Sequence, residues 1–544
     1  MQEEEPTKAA TLGPGEGWWL AGLALAALAV RLALARLPHV LQADEGAYVW
    51  LGRNLVTGQG FTFIGIPEVH YTPLFPALCG LLYLISGSLE AASKALFVVL
   101  GAGLVVPVYL LARAVYGLRA ARVAGLLVAA LPALTSHVLY WGSMSEPLYL
   151  FLLFWGLWLV WRAWREGGTW LHAGAALLLS LAYLARPEGL IYVGAALAFL
   201  GLARVRELRR HAWSLAAYAL VFVLVAAPYV LYLHAHTGEW MLTGKVWTAY
   251  AQDRALAGKD WVTFDRMTWG LDSSGEVLYH SRERFNRSLG SYIVAEPRAF
   301  LRGLLDNTRT LPQVLLGRQG VPRPLLVAVV LGLFAQAWTR RRARREVFLG
   351  GAALVPVVTF SAVMFSVRFL QPVFPLAMIW AARGLVGLGE WLAETVRAQG
   401  GRVGMWGARV LVALPAVAAA LYLVAVQPAV VRQGAAQMKF HYKAAGEWLA
   451  THTAGDAVIM SRGAIAAIHA EREWSPLPHA AWSEIVAYGR RRGATHLVVN
   501  DQELRQFQPH LEALCDESQP PPELEHLYTY RDAHGRTIIY RFRP

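Results

Sequence analysis

Residues 72–88 read Thr72-Pro-Leu-Phe-Pro76-Ala-Leu-Cys-Gly80-Leu-Leu-Tyr-Leu-Ile-Ser-Gly-Ser88. The stretch is apolar and opens with two prolines. It is shorter than the roughly 20 residues a helix needs to cross a hydrocarbon core of about 30 Å. Whether it crosses decides the orientation of every apolar block after it. Those blocks run at about 18–37, 92–112, 120–137, 146–165, 170–185, 189–203, 211–233, 323–339, 347–366, 372–388 and 409–427. If 73–88 dips in from the outer side and returns, the inner connections hold Arg113, Arg119 and Arg122, then Arg162 and Arg165, then Arg204, Arg206, Arg209 and Arg210. They also hold the run Arg340–Arg345, and Arg397, Arg402 and Arg409, leaving Arg53, Arg186 and Arg368 outside. If it crosses, the pattern inverts. Cytoplasmic loops carry the excess of Lys and Arg, so the stretch is expected not to cross. The fold class is then a polytopic α-helical membrane protein of about eleven spans, N-terminus inside.

Composition agrees. Of 544 residues, 56% are hydrophobic and 16% charged, against about a quarter charged in a soluble chain. The net charge is +13, from 50 Lys and Arg against 37 Asp and Glu. The basic residues cluster between apolar blocks, which is a topology signal and excludes nucleic acid as a partner. Two cysteines, Cys79 and Cys515, exclude a disulfide framework or a cysteine metal site. The start, Met1-Gln-Glu-Glu-Glu5, lacks the basic region of a cleaved signal peptide, so the first block reads as a retained anchor.

The large outer regions are 38–91, 234–322 and a tail from 428, giving domains 1–427 and 428–544. The middle region has amphipathic stretches such as Pro297–Leu305, of the kind that lies in a membrane interface. The tail reads as a small α/β domain. Helices are expected at His441–His452 and Ala481–Arg492, strands at Asp456–Ser461 and Thr495–Asn500, and a hairpin of Leu524–Arg531 with Arg536–Phe542.

Acidic residues beside a membrane-embedded cavity are costly, so each demands a reason. Asp44-Glu45 comes first, in Leu41-Gln-Ala-Asp-Glu-Gly-Ala-Tyr48, before a short helix at Tyr48–Val56. A carboxylate there has the chemistry of a general base toward a hydroxyl. Asp and Glu also open helices well, so a cap accounts for the pair equally. Glu146 lies in Gly142-Ser-Met-Ser-Glu-Pro-Leu148 on the same outer face, where Ser145 as cap and Pro147 in the first turn give a helix-initiation reading. Arg186-Pro-Glu-Gly189 is an outer turn between two short blocks. Arg186 there faces either an anionic lipid phosphate or the headgroups. Arg368 and Lys245 are outer-face cations, for which an interface anchor is the simpler account. Asp44, Glu45 and His70 have the residue types for a divalent ion, but no spaced His or carboxylate set marks a dedicated metal site.

In their order along the chain these elements resemble the GT-C glycosyltransferases that use polyprenyl-phosphate sugars. Members include the protein O-mannosyltransferases and the transferase that adds aminoarabinose to lipid A. The likeness rests on Asp44-Glu45, Tyr48, Pro73-Leu74, Glu146-Pro147, Arg186-Pro-Glu-Gly189, and Arg368 followed by Pro372 and Pro375. In the tail it rests on Lys443-Ala-Ala-Gly-Glu-Trp448 and Ile538-Ile-Tyr-Arg-Phe542. The resemblance implies a GT-C-like membrane domain and a polyprenyl-monophosphate sugar donor. It implies a hydroxyl acceptor on a lipid, glycan or protein, and inversion with Asp44 as base. Glu45 and Glu146 would orient sugar or acceptor, and Arg186, with Lys245 or Arg368, would hold the departing phosphate. Tyr48, His70, Tyr71 and Glu188 would contact substrate, and no metal or other cofactor is required. Two departures matter. Where the aminoarabinose transferase has a Lys before the proline of the returning segment, this chain has Tyr71-Thr72, so the phosphate cation must come from elsewhere, Arg186 or Lys245. The tail lacks the Trp-Trp-Asp motif of oligosaccharyltransferases, which argues against transfer of a whole oligosaccharide to asparagine.

A transporter or lipid flippase is the rival from another class. It predicts charges deep in several spans, or broken helices paired between two repeated halves. The suspicious charges here gather on one face and no halves repeat. A scaffold protein ranks last, because the tail carries no recognisable binding motif. The Ala, Leu and Arg bias suggests a GC-rich bacterial genome, and the topology places the chain in a cytoplasmic membrane with its site and tail outside.

Overall fold

The computed structural model describes Gly13 and residues 15–142, 144–245, 255, 258–279, 281, 289–317, 319–362, 366–399 and 404–544. Six helices among the described residues are long and apolar enough to cross a membrane. They are Glu16–Ala35, Leu89–Tyr116, Glu146–Glu166, Arg209–Thr237, Val373–Ala398 and Met405–Ala435. Thr169–Ala185, Gly189–Ala203 and Arg323–Phe334 are shorter apolar helices, and Arg340–Ser361 starts inside the basic run. The chain is a multi-pass helical membrane protein with a small mixed sheet near its C-terminus.

One expected span is corrected. The block 120–137 is not a single helix, because Leu118–Ala130 ends at Leu131, whose backbone is extended (φ −65°, ψ 121°). The cause is Pro132, since a proline disfavours the α conformation in the residue before it. A 3₁₀ turn, Pro132–Leu134, and a five-residue helix, Ser136–Tyr140, follow.

The chain divides into two compact units, each built from three separate segments. The first comprises Met1–Leu37, Lys94–Pro228 and Leu304–Ala436. In it, Glu146–Glu166 packs along Thr169–Ala185, and Arg323–Phe334 along Val373–Ala398. The second pair meets through glycine. A Cβ on Gly384 would overlap the carbonyl of Ala328, and one on Gly332 would overlap the carbonyl of Trp380. Without a hydrophobic drive between helices in lipid, such close backbone approach is what holds a pair together. Gly384→Val is therefore expected to cost roughly 1–3 kcal/mol or more, read as a lower thermal midpoint in detergent, with Gly384→Ala falling between it and wild type. Arg342 of the basic run is buried. It caps Arg323–Phe334 by donating to the carbonyls of Gly332 (3.0 Å) and Leu333 (2.7 Å).

The second unit comprises Pro38–Ser93, Tyr229–Gly303 and Gln437–Pro544. Its helices Ala43–Val56 and Leu74–Ser86 pack on each other, with Gly52 and Gly80 at the crossing where a Cβ on either would meet the other's backbone. Leu74–Ser86 has 13 residues, a rise of about 20 Å that falls short of a bilayer core. The tail is a five-stranded mixed sheet. Its strand order is Glu473–Pro476, Val458–Ser461, His496–Asn500, Gly535–Phe542 and Leu524–Asp532. The first three are parallel and the last two antiparallel. Glu473–Pro476 was not expected from sequence. The membrane helix Met405–Ala435 runs past residue 428, where the tail was expected to start.

The tail recruits a piece of the middle region. Val277 enters its core, and Asp265, on helix Trp261–Trp269, is fully buried. Asp265 accepts hydrogen bonds from Arg462 Nε (2.8 Å) and Gln508 Nε2 (2.8 Å) and pairs with His479 Nδ1 (3.1 Å). Nearby, Glu503 pairs with Lys439 and accepts from Tyr442 Oη (2.8 Å). Burial alone would raise its pKa, but Lys439 and Arg462 outweigh that and hold it at about 2. A depressed carboxyl stabilises the fold above its ordinary range, and that contribution is lost as pH falls toward the folded value. Glu503→Gln should therefore lower the denaturant midpoint of the tail at pH 7, with the gap to wild type closing as the pH falls toward 2.

Candidate active site

The sequence candidates fall into two clusters, one in each unit. In the second unit, Gln42 is the N-cap of helix Ala43–Val56 and makes no side-chain cap bond. Asp44 and Glu45 lie in the first turn, where the helix dipole favours acids, and neither is the cap. Consecutive helical residues point about 100° apart, and the two carboxylates part accordingly. Glu45 turns into the protein, fully buried, with His39 Nε2 at 3.1 Å and Ser93 Oγ donating at 2.6 Å. Asp44 is half-buried and accepts from the Tyr71 hydroxyl at 2.9 Å.

Tyr71 is the centre of this cluster. Its ring meets Tyr48 edge-on at 4.8 Å and His70 at 5.0 Å, and Lys245 Nζ lies over it at 4.9 Å. His70 packs on Tyr279 at 5.1 Å. Tyr48, buried between Tyr71 and Phe75, serves packing. Burial first, then the charge of Asp44, pushes the Tyr71 phenol well above its ordinary pKa, so it stays a hydrogen-bond donor to Asp44. Glu68, which the sequence reading missed, is buried and accepts from the backbone N–H groups of His70 and Tyr71 (3.2 Å to the latter). Its only signal was position, an acidic residue two places before His70. Glu45 faces His39 and Ser93, away from Asp44 and His70, the other residues with the chemistry for a divalent ion. Among the described residues no three His, Cys, Asp or Glu converge as metal ligands.

In the first unit, helix Glu146–Glu166 begins after Met144, which holds φ +57°, a conformation costing a non-glycine residue of order 1–3 kcal/mol. Ser145 is at the cap position without a side-chain cap bond, and its Oγ accepts instead from Arg186 (3.1 Å). Glu146 is 1% exposed, and its Oε1 accepts from both Arg186 Nη1 and Arg368 Nε, each at 2.7 Å. Arg186 also donates to Glu188 at 3.0 Å. Pro187 explains the turn, since it sets Arg186 extended (φ −151°, ψ 135°) at the end of Thr169–Ala185. Gly189 is required next, because a Cβ there would strike the backbone of Ala182 and Tyr183. Arg186, Glu188 and Arg368 line a pocket with Tyr149, Tyr192 and Phe369, among other apolar side chains. Two cations and two carboxylates leave this cluster formally neutral.

Residues 70–232, which include Tyr71, Glu146, Arg186 and Glu188, match the family model described as dolichyl-phosphate-mannose-protein mannosyltransferase. Among solved structures, the chain is similar to ArnT from Cupriavidus metallidurans bound to undecaprenyl phosphate. The TM-score is 0.60 at 14% identity, over 96% of this chain and 98% of that one. It is similar also to the oligosaccharyltransferase AglB from Archaeoglobus fulgidus in complex with an inhibitory peptide and a dolichol-phosphate. There the TM-score is 0.54 at 15% identity, over 96% of this chain and 74% of that one. The chain has the GT-C glycosyltransferase fold. No curated protein matches it by sequence. The GT-C likeness spans both units, and the expectation drawn from scattered short motifs holds for the architecture.

Proposed function

We propose that this GT-C chain transfers a monosaccharide from a polyprenyl-phosphate donor to a hydroxyl on a lipid, glycan or protein, at the outer face of a bacterial cytoplasmic membrane. The observation that carries the reading is the pocket where Arg186 and Arg368 meet Tyr149, Tyr192 and Phe369. Cations beside aromatic and aliphatic walls suit a phosphate carried on a hydrocarbon chain. The structural neighbours bound to undecaprenyl phosphate and dolichol-phosphate support it.

In this reading the acceptor oxygen attacks the anomeric carbon as the bond from that carbon to the phosphate oxygen breaks. The electron pair leaves with the lipid phosphate, the acceptor proton goes to Asp44, and the single displacement inverts the sugar. Arg186 and Arg368 stabilise charge on the leaving phosphate. Tyr71 holds Asp44, and Lys245 lies over the Tyr71 ring. Protein cations supply the positive charge, so the proposal invokes no metal. The test is release of free polyprenyl phosphate by purified protein in nanodiscs, offered a panel of polyprenyl-phosphate sugars with candidate acceptors, for wild type and Asp44→Asn. Asp44-dependent release supports the reading and names the sugar. Asp44-independent release sinks Asp44 as the base, and donor binding with no release sinks the transfer in favour of lipid transport.

A further inference from the structure

The break at Pro132 lies inside the first unit, and every residue from Leu131 to Tyr140 is buried. A helix end leaves its last four carbonyls without intrahelical partners. Irregular backbone among membrane helices is tolerated only where the protein itself satisfies it. Three side chains from three other elements do so. Arg31, in the second half of the first span, donates to the carbonyls of Ala129 (3.4 Å) and Leu134 (3.1 Å). Gln371 donates to Ala133 (2.9 Å), and Gln427 to Ala130 (2.8 Å). Arg31 and Gln371 are fully buried. Room for Arg31 comes from Gly101, where a Cβ would lie 2.5 Å from the guanidinium Nε. Two turns beyond Gln427 on the same helix, Gly434 lets the ring of Tyr140 pack against bare backbone.

The capped segment and one of the residues that cap it adjoin, along the chain, members of the Glu146–Arg186–Arg368 cluster. Six residues beyond Tyr140 stands Glu146, and Gln371 stands three residues after Arg368, in the turn before helix Val373–Ala398. Glu146 and Arg368 are bonded to each other. We propose that Arg31, Gln371 and Gln427 are positioning residues. They hold the broken segment 131–142, and with it Glu146 and Arg368, in the arrangement that receives the lipid phosphate. The placement of Arg368 thus depends on an amide that touches no substrate. This inference rests on the proposed reading of the pocket.

Arg31→Met removes several contacts at once and can fail to fold, so the test uses Gln371→Met, which keeps the volume and removes the donor. In full-length protein in nanodiscs, undecaprenyl phosphate binding should weaken about tenfold, the effect of one lost buried hydrogen bond. A residue acting through Arg368 must also be non-additive with it. The double variant Gln371→Met, Arg368→Met should bind no more than about twofold worse than Arg368→Met alone. Additive losses, or wild-type binding by Gln371→Met, overturn the proposal. If wild type binds no undecaprenyl phosphate, the functional reading has failed, and amide exchange then decides the clamp on its own. Residues 134–141 exchange at least about tenfold faster in Gln371→Met if the amide holds the break, and unchanged exchange refutes it.

Discussion

Asp44→Asn is expected to lower transfer at saturating donor by about 10²- to 10⁴-fold, the range a positioned general base contributes, with little change in donor KM. Asn is nearly isosteric and its amide oxygen can still accept from Tyr71, now at 2.9 Å, so folding should be preserved. What disappears is the proton acceptor. Asp44, not Glu45, carries this prediction because the two diverge at the helix start. Glu45 is buried against His39 and Ser93, whereas Asp44 is half-exposed and bonded to Tyr71, over whose ring Lys245 lies. Tyr71→Phe keeps the ring that packs on Tyr48 and His70 but removes the hydroxyl, and should cost about tenfold, one lost charge-assisted hydrogen bond. Near-normal turnover by Asp44→Asn, with a large loss in Glu45→Gln, would reverse the assignment.

The contrast between Asp44 and Glu45 also marks how far sequence reading reaches. Arginine clusters between apolar blocks predict the membrane architecture, because their positions report topology without reference to packing. The shortness of 73–88 is likewise a one-dimensional fact with a three-dimensional consequence. Which of two adjacent carboxylates faces inward is not, since it depends on where His39 and Ser93 come to rest. The same holds for Glu146. Its partners are 40 and 222 residues away, and nothing near Ser145-Glu146-Pro147 announces them. Pro132 stands among apolar residues that read as one continuous block, 120–137. Arg31, Gln371 and Gln427, all distant in sequence, supply the donors that a break there needs. The strand Glu473–Pro476 is four residues long and ends in proline, too brief for a periodic signal.

The Glu146 cluster yields the second large effect, with two variants expected to move in opposite directions. Its carboxylate is the shared acceptor of two guanidiniums and is almost wholly buried. Glu146→Ala leaves Arg186 and Arg368 facing a void, with Glu188 still paired to Arg186. Removing one member of a buried ion pair costs about 3–5 kcal/mol, so this variant should lose much of its thermal stability and all transfer. Glu146→Gln keeps the volume and an acceptor oxygen, and should fold. It also turns a neutral cluster into one of net charge +1, which holds a phosphate anion more tightly. Undecaprenyl phosphate should therefore bind at least as well as to wild type, and turnover should fall because the product is slow to leave. Arg186→Gln should do the reverse, weakening lipid-phosphate binding and raising donor KM. Binding titrations of the three variants with undecaprenyl phosphate, set beside their melting curves, separate the effects. Weaker binding by a folded Glu146→Gln would show that this carboxylate contacts the ligand itself and does not merely balance the arginines that hold it.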